Sequence, residues 1–557
     1  MIDATRYSCL GLFLEDALQT YKSRTALIEV KRHRETARLS YLDLRNAVRA
    51  VASFFEPRVP AEGRIAIVGE NQHRWLVAAA ATLRGGRTLV PLDARLTADE
   101  LHTLLCHSGA ALACMDRSIF TKRTDWPCPV VLLEGEATGA DPFEEALATP
   151  PTATPQRRTR GDIACIVYSS GTGGSPKGCL LSHGAYLSQY TALSHVFSWH
   201  EDDRYLSILP TNHAIDFMCG FLAPLGCGAA VVQLRTVRPA YLLDTLRTYS
   251  ITQMAVVPLI LDALHRAIQE KTDALPEGRQ LAFRAIKAVH GRLTEDAPWP
   301  TLSRWMLKPL HDVLGGRLKT LFCGGAFTPR APTEALYELG IPVAIGYGLT
   351  EACTVATVND LKPFRADSVG APLPGIQVRI DRPDSHGIGE VWLKGPTLFS
   401  GYLDDAERTS ESLVDGWLRT GDLGWQDAAG HLHLVGRARN MIVTPGGKNV
   451  YPEDVEQFFG DLPGEDFVLF ATDFLYPRDE LPGEALTAVL FLGPDATPDT
   501  ALDALRQANR RLPEHKRART ALFYTEAFPR TTSLKVKRMA LADHLAQTTH
   551  RDDLVEL

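Results

Sequence analysis

Short apolar strands alternate with amphipathic helices along the first part of the chain. In chain order, helix, strand, helix, strand, helix and a further apolar run are predicted over 11–21, 26–30, 41–55, 64–69, 72–85 and 90–92. Because a parallel strand follows another only after a crossover that is usually a helix, this alternation predicts a doubly wound α/β fold with a parallel-rich sheet. A chain of 557 residues is too long for one core, so two or three domains are expected.

The composition is typical of a globular protein with material for a large core. Hydrophobic residues make up 45% and charged residues 22% of the chain, and the net charge is −7. This small charge argues against a dedicated nucleic-acid surface. The ten cysteines include no C-x-x-C pair, which argues against a structural zinc site and favours a reducing compartment.

Neither a signal peptide nor an integral membrane segment is predicted. Acidic residues interrupt the N-terminus, and no apolar run reaches the about 18 residues that a membrane span needs. We therefore expect a cytoplasmic protein, and the sequence leaves peripheral membrane contact open.

A loop rich in glycine and hydroxyl groups follows the apolar strand 163–167. It reads Tyr-Ser-Ser-Gly-Thr-Gly-Gly-Ser-Pro-Lys-Gly over 168–178. Successive backbone N–H groups in such a loop can surround phosphate oxygens, and Lys177 adds a positive charge. A Walker A loop requires Gly immediately before its Lys, and a dinucleotide fingerprint requires Gly or Ala where Pro176 stands. A generic Gly/Ser turn is the alternative.

Taken whole, this loop resembles the phosphate loop of the adenylate-forming superfamily, which includes acyl-CoA synthetases, luciferases and peptide-synthetase adenylation domains. The chain departs from the usual pattern only at Gly173, where relatives have Thr. The resemblance implies that the ATP phosphates are bound by Ser169, Ser170, Gly171, Thr172, Gly173, Gly174 and Lys177.

A second motif, Gly346-Tyr347-Gly348-Leu349-Thr350-Glu351, follows the apolar run 341–345. An aromatic ring beside open backbone suits a purine, and a carboxylate oxygen suits Mg²⁺. The resemblance implies adenine stacking on Tyr347 and Gly348, an α-phosphate contact from Thr350, and Mg²⁺ binding by Glu351. Gly325 and Ala326 resemble the companion segment on the adenine side. Without the first loop, Tyr between glycines is more often a turn.

A third group of residues resembles the ribose site of the superfamily. Asp422 follows a turn-rich stretch, and Arg437 lies fifteen residues further on. A carboxylate can accept from both ribose hydroxyls, and an arginine can bridge sugar and phosphate. A solvent-exposed ion pair is the alternative. Arg439 aligns with the hinge residue of relatives, usually Asp or Lys.

The C-terminal region carries two further motifs. Gly446 and Gly447 lie in a predicted glycine hairpin followed by a helix start, and relatives use such glycines to admit the pantetheine arm of coenzyme A. Lys535 aligns with the catalytic lysine, although Leu534 stands where most relatives have Gly. A lysine in a basic surface patch is the alternative.

Two segments indicate which kind of carboxylic acid the protein binds as substrate. His213 follows a predicted strand in a Leu-Pro-x-x-His segment, and the resemblance places it near the substrate carboxylate; a structural histidine is the alternative. The amino-acid-activating branch has an Asp where this chain has Ile215, and Asp216 is one position off. The insertion 266–305 resembles the long-chain acyl-CoA synthetase branch, and a helical surface insertion is the alternative.

Together the resemblances imply an N-terminal α/β domain over 1–437, with a barrel-like subdomain, and a mobile C-terminal α+β lid over 438–557. They imply that the protein uses ATP and Mg²⁺ to activate a carboxylic acid, expected to be a fatty acid, as acyl-adenylate before transfer to coenzyme A. The short segment 351–370 lacks an inserted motif that many fatty acyl-AMP ligases of the superfamily have in this region, and the resemblance therefore favours coenzyme A over a carrier protein. The alternatives are a ligase that loads a phosphopantetheine acyl carrier protein, another adenylate-using ligase or cyclase, and a non-catalytic nucleotide-binding protein.

Overall fold

The computed structural model describes residues 1–169, 176–274, 276–294, 299–325, 328–443, 449–459, 466–476, 485–492, 496–530 and 536–557. The chain divides into two units, residues 1–378 with 393–418 and residues 379–392 with 419–557. Their borders fall inside the strands Gln377–Asp381, Gly389–Lys394 and Trp417–Gln426. The division predicted from the sequence, between 437 and 438, separates the N-terminal domain from a mobile lid. That division and the barrel-like subdomain stay predictions.

The first unit contains two large sheets. In spatial order, the nine-stranded sheet consists of Ala371–Pro372, Thr357–Val358, Val343–Tyr347, Thr320–Gly324, Gln253–Val256, Arg204–Ser207, Ala230–Leu234, Thr25–Lys31 and Arg34–Ser40. The seven-stranded sheet consists of Asp141–Pro142, Val130–Leu132, Leu112–Met115, Arg64–Val68, Thr88–Leu92, Ile163–Ser169 and Lys177–Ser182.

Most neighbouring strands in both sheets are parallel, as the strand/helix alternation predicts. In the nine-stranded sheet the six strands from Val343–Tyr347 to Thr25–Lys31 are parallel, and only edge strands are antiparallel. Ile65, Ala66, Ile67 and Val68 are all fully buried, because helices cover both faces of a parallel sheet. The doubly wound α/β prediction is therefore confirmed.

The helices of the first unit are Leu10–Thr20, Tyr41–Phe55, His73–Arg84, Ala98–Ser108, Arg117–Phe120, Phe143–Ala148, His183–Val196, Ala214–Phe217, Ala223–Cys227, Pro239–Thr248, Pro258–Asp273, Glu277–Thr294, Pro300–Met306, Lys308–Val313, Arg330–Glu338 and Ala406–Ser412. Short side chains define several of their starts. Ser40 and Asp43 form a reciprocal capping box, which typically contributes about 1 kcal/mol to helix stability. Among the helices described, none has the combination of length and hydropathy that crossing a bilayer requires.

The second unit is a smaller α+β structure. Its four-stranded sheet consists of Asp466–Ala471, Leu486–Phe491, Ala518–Tyr524 and Val555–Glu556. The helices described in it are Pro452–Phe458, Thr472–Leu475, Pro498–Arg510 and Arg538–Thr548. Two clusters of buried apolar side chains pack on this sheet. Leu469 belongs to one cluster and Val489 to the other.

Candidate active site

The predicted catalytic residues of the first unit lie after parallel strands of the nine-stranded sheet. His213 follows the strand Arg204–Ser207, Gly325 follows Thr320–Gly324, and Thr350 and Glu351 follow Val343–Tyr347. Because these strands are parallel, the loops after them leave from the same edge of the sheet. In open α/β folds this carboxyl edge is where ligands bind.

Tyr347 is the last residue of its strand, and its side chain is buried. Its carbonyl accepts a hydrogen bond from the N–H of Ala356, 2.7 Å away. Gly348 follows, and a Cβ at that position would lie 2.1 Å from the carbonyl oxygen of Thr354. Glycine at 348 is therefore required by the close approach of the returning chain.

Glu351 is fixed at both its backbone and its side chain. It lies in a short 3₁₀ helix, Thr350–Ala352, and its carbonyl accepts from the N–H of Phe399 at 2.8 Å. The hydroxyl of Tyr402 donates to Oε1 of Glu351 at 2.8 Å. Tyr402 is only 9% exposed, so this hydrogen bond is largely shielded from solvent.

A backbone contact brings Tyr402 to this position. Residues 400–403 run beside the strand Lys177–Ser182, with Leu180 N–H donating to Gly401 and Leu403 N–H donating to Gly178, at 2.9 and 2.8 Å. This strand pairs antiparallel with Ile163–Ser169, in a register that places Lys177 opposite Ser169. The two ends of the predicted phosphate loop are therefore paired. The strand Lys177–Ser182 also forms the backbone hydrogen bonds that hold Tyr402 next to Glu351.

His213 lies at the start of a short helix, Ala214–Phe217. Its Nε2 is 3.6 Å from Oδ2 of Asp93, a residue that directly follows the strand Thr88–Leu92 of the other sheet. Asp93 is buried and His213 is half-buried. A carboxylate beside the imidazole favours one ring orientation, so Asp93 is suited to position His213.

The loop between Ser207 and His213 is anchored by Asn71, which comes from the seven-stranded sheet side of the unit. Its amide nitrogen donates to the hydroxyl of Ser207 at 3.0 Å and to the carbonyl of Leu209 at 2.6 Å. Its amide oxygen accepts from the N–H of Thr211 at 2.9 Å. One side chain thus satisfies both ends of the loop that leads to His213.

Asp216 lies beneath the same loop and is fully buried. Its carboxylate accepts from the hydroxyls of Ser207, Thr211 and Tyr205 at 2.7, 3.0 and 3.1 Å. Burial raises the pKa of Asp216 to about 6, although these three hydrogen bonds oppose the shift. A carboxylate occupied in this way serves the loop and does not present itself to a substrate ammonium group.

In the second unit, Asp422 and Arg437 are directly opposite each other on antiparallel strands. Arg437 Nε lies 2.9 Å from Asp422 Oδ1, and Asp422 is mostly buried while Arg437 is half-buried. Arg439 lies in the 3₁₀ helix Ala438–Asn440 that follows. The strands Ile442–Val443 and Asn449–Val450 pair antiparallel and precede the helix Pro452–Phe458, as a hairpin before a helix start predicts.

Several predicted site residues lie outside the described part of the chain: Ser170, Gly171, Thr172, Gly173, Gly174, Ala326, Gly446, Gly447 and Lys535. For Ser169 and Arg439 the structure describes the backbone only. The roles assigned to these residues stay predictions.

Sequence reasoning missed Asn71, Asp93 and Tyr402. A signal existed for the first two, because each follows a predicted apolar strand, where polar residues of a parallel sheet converge. Tyr402 had no such signal, because its contact with Glu351 depends on the pairing of segments that are distant in sequence.

The comparison with protein families settles where this chain belongs. Residues 14–403 match the family described as "AMP-binding enzyme", which is more than half of the 557 residues. The chain belongs to the AMP-binding enzyme family. The resemblance to the adenylate-forming superfamily, inferred from the phosphate loop and the second motif, is thereby confirmed.

Two curated relatives of this AMP-binding enzyme are similar over most of its length. The 3-[(3aS,4S,7aS)-7a-methyl-1,5-dioxo-octahydro-1H-inden-4-yl]propanoyl:CoA ligase of Mycobacterium tuberculosis is 29% identical, over 95% of this chain and 97% of the relative. The long-chain-fatty-acid–CoA ligase FadD15 of Mycobacterium bovis is 26% identical, over 74% of this chain and 71% of the relative.

Among solved structures, the anthranilate CoA ligase AuaEII in complex with anthranoyl-AMP has a TM-score of 0.80 to this AMP-binding enzyme. The two are 20% identical, and the alignment covers 98% of this chain and 100% of that one. At this identity the likeness shows a shared fold.

The residues present fit the cofactors that the family implies. Mg²⁺ is typically held by one or two carboxylates together with substrate phosphates, and Glu351 offers a half-buried carboxylate already oriented by Tyr402. Lys177, at the end of the predicted phosphate loop, carries a positive charge of the kind that phosphate groups pair with.

We predict that Tyr402→Phe raises the Mg²⁺ concentration that this enzyme needs for turnover. Losing a hydrogen bond to a charged group costs about 1.5 to 3 kcal/mol, so turnover should fall about tenfold or more at limiting Mg²⁺ and recover in part at high Mg²⁺. Steady-state kinetics across a Mg²⁺ titration measure this effect. Tyr249→Phe is the matched control, because its hydroxyl lies 3.2 Å from the Glu35 carboxylate, away from the site. An unchanged Mg²⁺ dependence in Tyr402→Phe would show that Tyr402 does not position Glu351.

We also predict that Asp216 makes stability depend on pH. Its pKa is raised from 3.8 to about 6, so the folded state holds the proton more tightly than the unfolded state. The free energy of unfolding should therefore fall as the pH rises from about 4 to 6, by up to about 3 kcal/mol from this group.

Asp216→Asn removes this dependence, whereas Asp273→Asn, at an exposed carboxylate, should retain it. Thermal unfolding of the three proteins at several pH values between 4 and 8 measures the difference. If wild type and Asp216→Asn lose stability equally over this range, the carboxyl does not titrate there.

Proposed function

We propose that this AMP-binding enzyme activates a carboxylic acid with ATP and transfers the acyl group to coenzyme A, releasing AMP and pyrophosphate. The observation that carries the proposal is the convergence at one sheet edge of His213, Thr350 and a Glu351 fixed by Tyr402. The two curated relatives are named as CoA ligases, which supports the thiol as acceptor.

In the first half-reaction, a carboxylate oxygen of the acid forms a bond to the α-phosphorus of ATP. The bond from that phosphorus to the bridging oxygen breaks, and pyrophosphate leaves with its electron pair. The proposed contribution of the protein is positioning and charge stabilisation. Thr350 contacts the α-phosphate, Lys535 stabilises the developing negative charge, and His213 orients the acid. Mg²⁺, held by Glu351, would offset the charge of the phosphates.

In the second half-reaction, the thiol of coenzyme A loses its proton to solvent and its sulfur forms a bond to the acyl carbonyl carbon. The bond between that carbon and the AMP oxygen breaks, and AMP leaves. We propose that Gly446 and Gly447 admit the pantetheine arm, that Asp422 and Arg437 hold the ribose, and that Arg439 is the hinge between the two half-reactions.

The enzyme itself needs no nucleophile. The cysteine nearest in sequence to Glu351 is Cys353, which is fully buried, and burial raises the pKa of its thiol well above its usual value. A thiol of that kind stays protonated and unreactive.

For the acid, we propose an apolar, fatty acyl substrate. The carboxylate nearest to the position used by the amino-acid-activating branch is Asp216, and three hydroxyls already occupy it. The named fatty-acid ligase among the relatives supports this choice, whereas the bicyclic acid of the other relative shows how widely substrates vary in the family. The cytoplasmic location and coenzyme A as acceptor, in preference to a carrier protein, belong to the same proposal.

Lys535→Ala tests whether Lys535 acts in the first half-reaction and not in the second. Removing a preorganised positive charge should slow acyl-adenylate formation roughly a hundredfold or more, because that charge stabilises the transition state. Thioester formation from supplied acyl-adenylate should survive. The neighbouring Lys537→Ala is the matched control and should leave both steps unchanged. Normal adenylation by Lys535→Ala, measured as pyrophosphate release, would overturn the assignment.

A series of fatty acids tests the choice of substrate. Each buried methylene contributes up to about 0.8 kcal/mol, so kcat/KM should rise severalfold for each two-carbon extension until the pocket is full. Amino acids should be poor substrates, because three hydroxyls already occupy the Asp216 carboxylate, which is nearest in sequence to the position that grips an ammonium group in the amino-acid-activating branch. A preference for an amino acid or a small aryl acid over every fatty acid would contradict the fatty-acyl proposal and leave the adenylation proposal standing.

A further inference from the structure

The helix Glu277–Thr294, in the insertion of the first unit, packs on the protein through polar side chains and exposes apolar ones, the reverse of the usual arrangement. Its inward face is attached by polar contacts: Lys287 Nζ lies 2.5 Å from a Glu338 carboxylate oxygen, and His290 Nε2 lies 2.6 Å from the hydroxyl of Ser303. His290 and Thr294 are buried. The Thr294 carbonyl also accepts from a tyrosine hydroxyl of the helix Arg330–Glu338.

The opposite face of this helix is apolar and exposed. Leu281, Ala285, Val289 and Leu293 are spaced four residues apart, so they lie along one side of the helix, and we call them the outward face. Leu281 is 71% exposed, Val289 is 52% exposed and Leu293 is 57% exposed. A helix of a globular protein normally turns such a stripe toward the core.

The same insertion carries two exposed tryptophans. Trp299 is 55% exposed and directly precedes the short helix Pro300–Met306, and Trp305 lies within that helix and is 79% exposed. The contact between His290 and Ser303 attaches this helix to the longer one. Several large apolar side chains exposed in one segment mark an interaction site.

The charge of the segment indicates the kind of partner. Residues 277–308 contain six basic and three acidic residues, and two of the basic ones, Lys287 and Lys308, pair with carboxylates outside this range. Arg284 and Arg292 are exposed on the same helix as the outward face. Apolar residues and tryptophans bordered by arginines are the pattern of a helix that lies in the interface of an anionic bilayer. The arginine stems can bury their methylenes while their charges meet lipid phosphates.

A second copy of this chain fits the same surface less well. In a two-fold symmetric dimer the same patch meets itself, so two patches that both carry exposed arginines would be brought together. An anionic lipid surface attracts these charges and buries the apolar side chains together.

We propose that the outward face, with Trp299 and Trp305, docks the enzyme on an anionic lipid surface without crossing it. This proposal does not depend on the identity of the acid, and it would stand if the proposed function failed. It assigns to the insertion a contact with the membrane surface in addition to any contact with substrate.

The test is co-sedimentation of the full-length enzyme with phosphatidylcholine vesicles, with and without phosphatidylglycerol. We expect binding to the anionic vesicles, at least tenfold weaker binding to the neutral ones, and loss of binding at about 1 M salt, where charge attraction is screened within about 3 Å. The triple variant Leu281→Ser, Val289→Ser, Leu293→Ser should bind at least tenfold more weakly. Arg284→Glu with Arg292→Glu should abolish the preference for anionic lipid.

The matched control is Leu42→Ser with Val237→Ser, two exposed apolar residues elsewhere in the same unit, which should bind as wild type does. Quenching of Trp305 fluorescence by brominated lipid, absent in Trp305→Phe, gives a second readout that does not depend on the triple variant folding. Equal binding by wild type and a folded triple variant would overturn the proposal. A concentration-dependent dimer that the triple variant abolishes, without any lipid binding, would overturn it in favour of a second copy.

Discussion

The hydrogen bonds between residues 178–180 and 400–403 are the contact on which the candidate site depends most. They hold Tyr402 beside the strand Lys177–Ser182, and Tyr402 in turn donates to Glu351. The strand that ends the phosphate loop and the turn that carries the proposed Mg²⁺ ligand are thereby fixed relative to each other. Because a hydrogen bond to a carboxylate is stronger in a shielded site, the orientation of Glu351 is set before any ligand arrives.

A second polar network fixes the loop that carries His213. Asn71 and Asp216 both hold this loop, one through its amide and the other through three hydroxyl donors. Buried polar groups are costly unless every one is paired, so such a network has few alternative arrangements. The loop is therefore held in place by partners that its own sequence, Ile-Leu-Pro-Thr-Asn over 208–212, does not reveal.

The sequence predicts the elements of the first unit well and the site only in part. The helix predicted over 41–55 is observed as Tyr41–Phe55, and the strand predicted over 64–69 as Arg64–Val68, because period and burial are local signals. The motif at 346–351 points to Glu351, but its partner Tyr402 is brought there only by tertiary pairing. The helical character of the insertion 266–305 is confirmed, whereas the reversal of polarity in its longest helix emerges only from the packing against Glu338 and Ser303.

The measurement that tests the central proposal most directly is a product balance with ATP, a fatty acid and coenzyme A. The account predicts pyrophosphate release that requires the acid, and with coenzyme A present, equal amounts of pyrophosphate, AMP and acyl-CoA. Pyrophosphate release that no acid stimulates, or AMP formed with no thioester from coenzyme A, would contradict it.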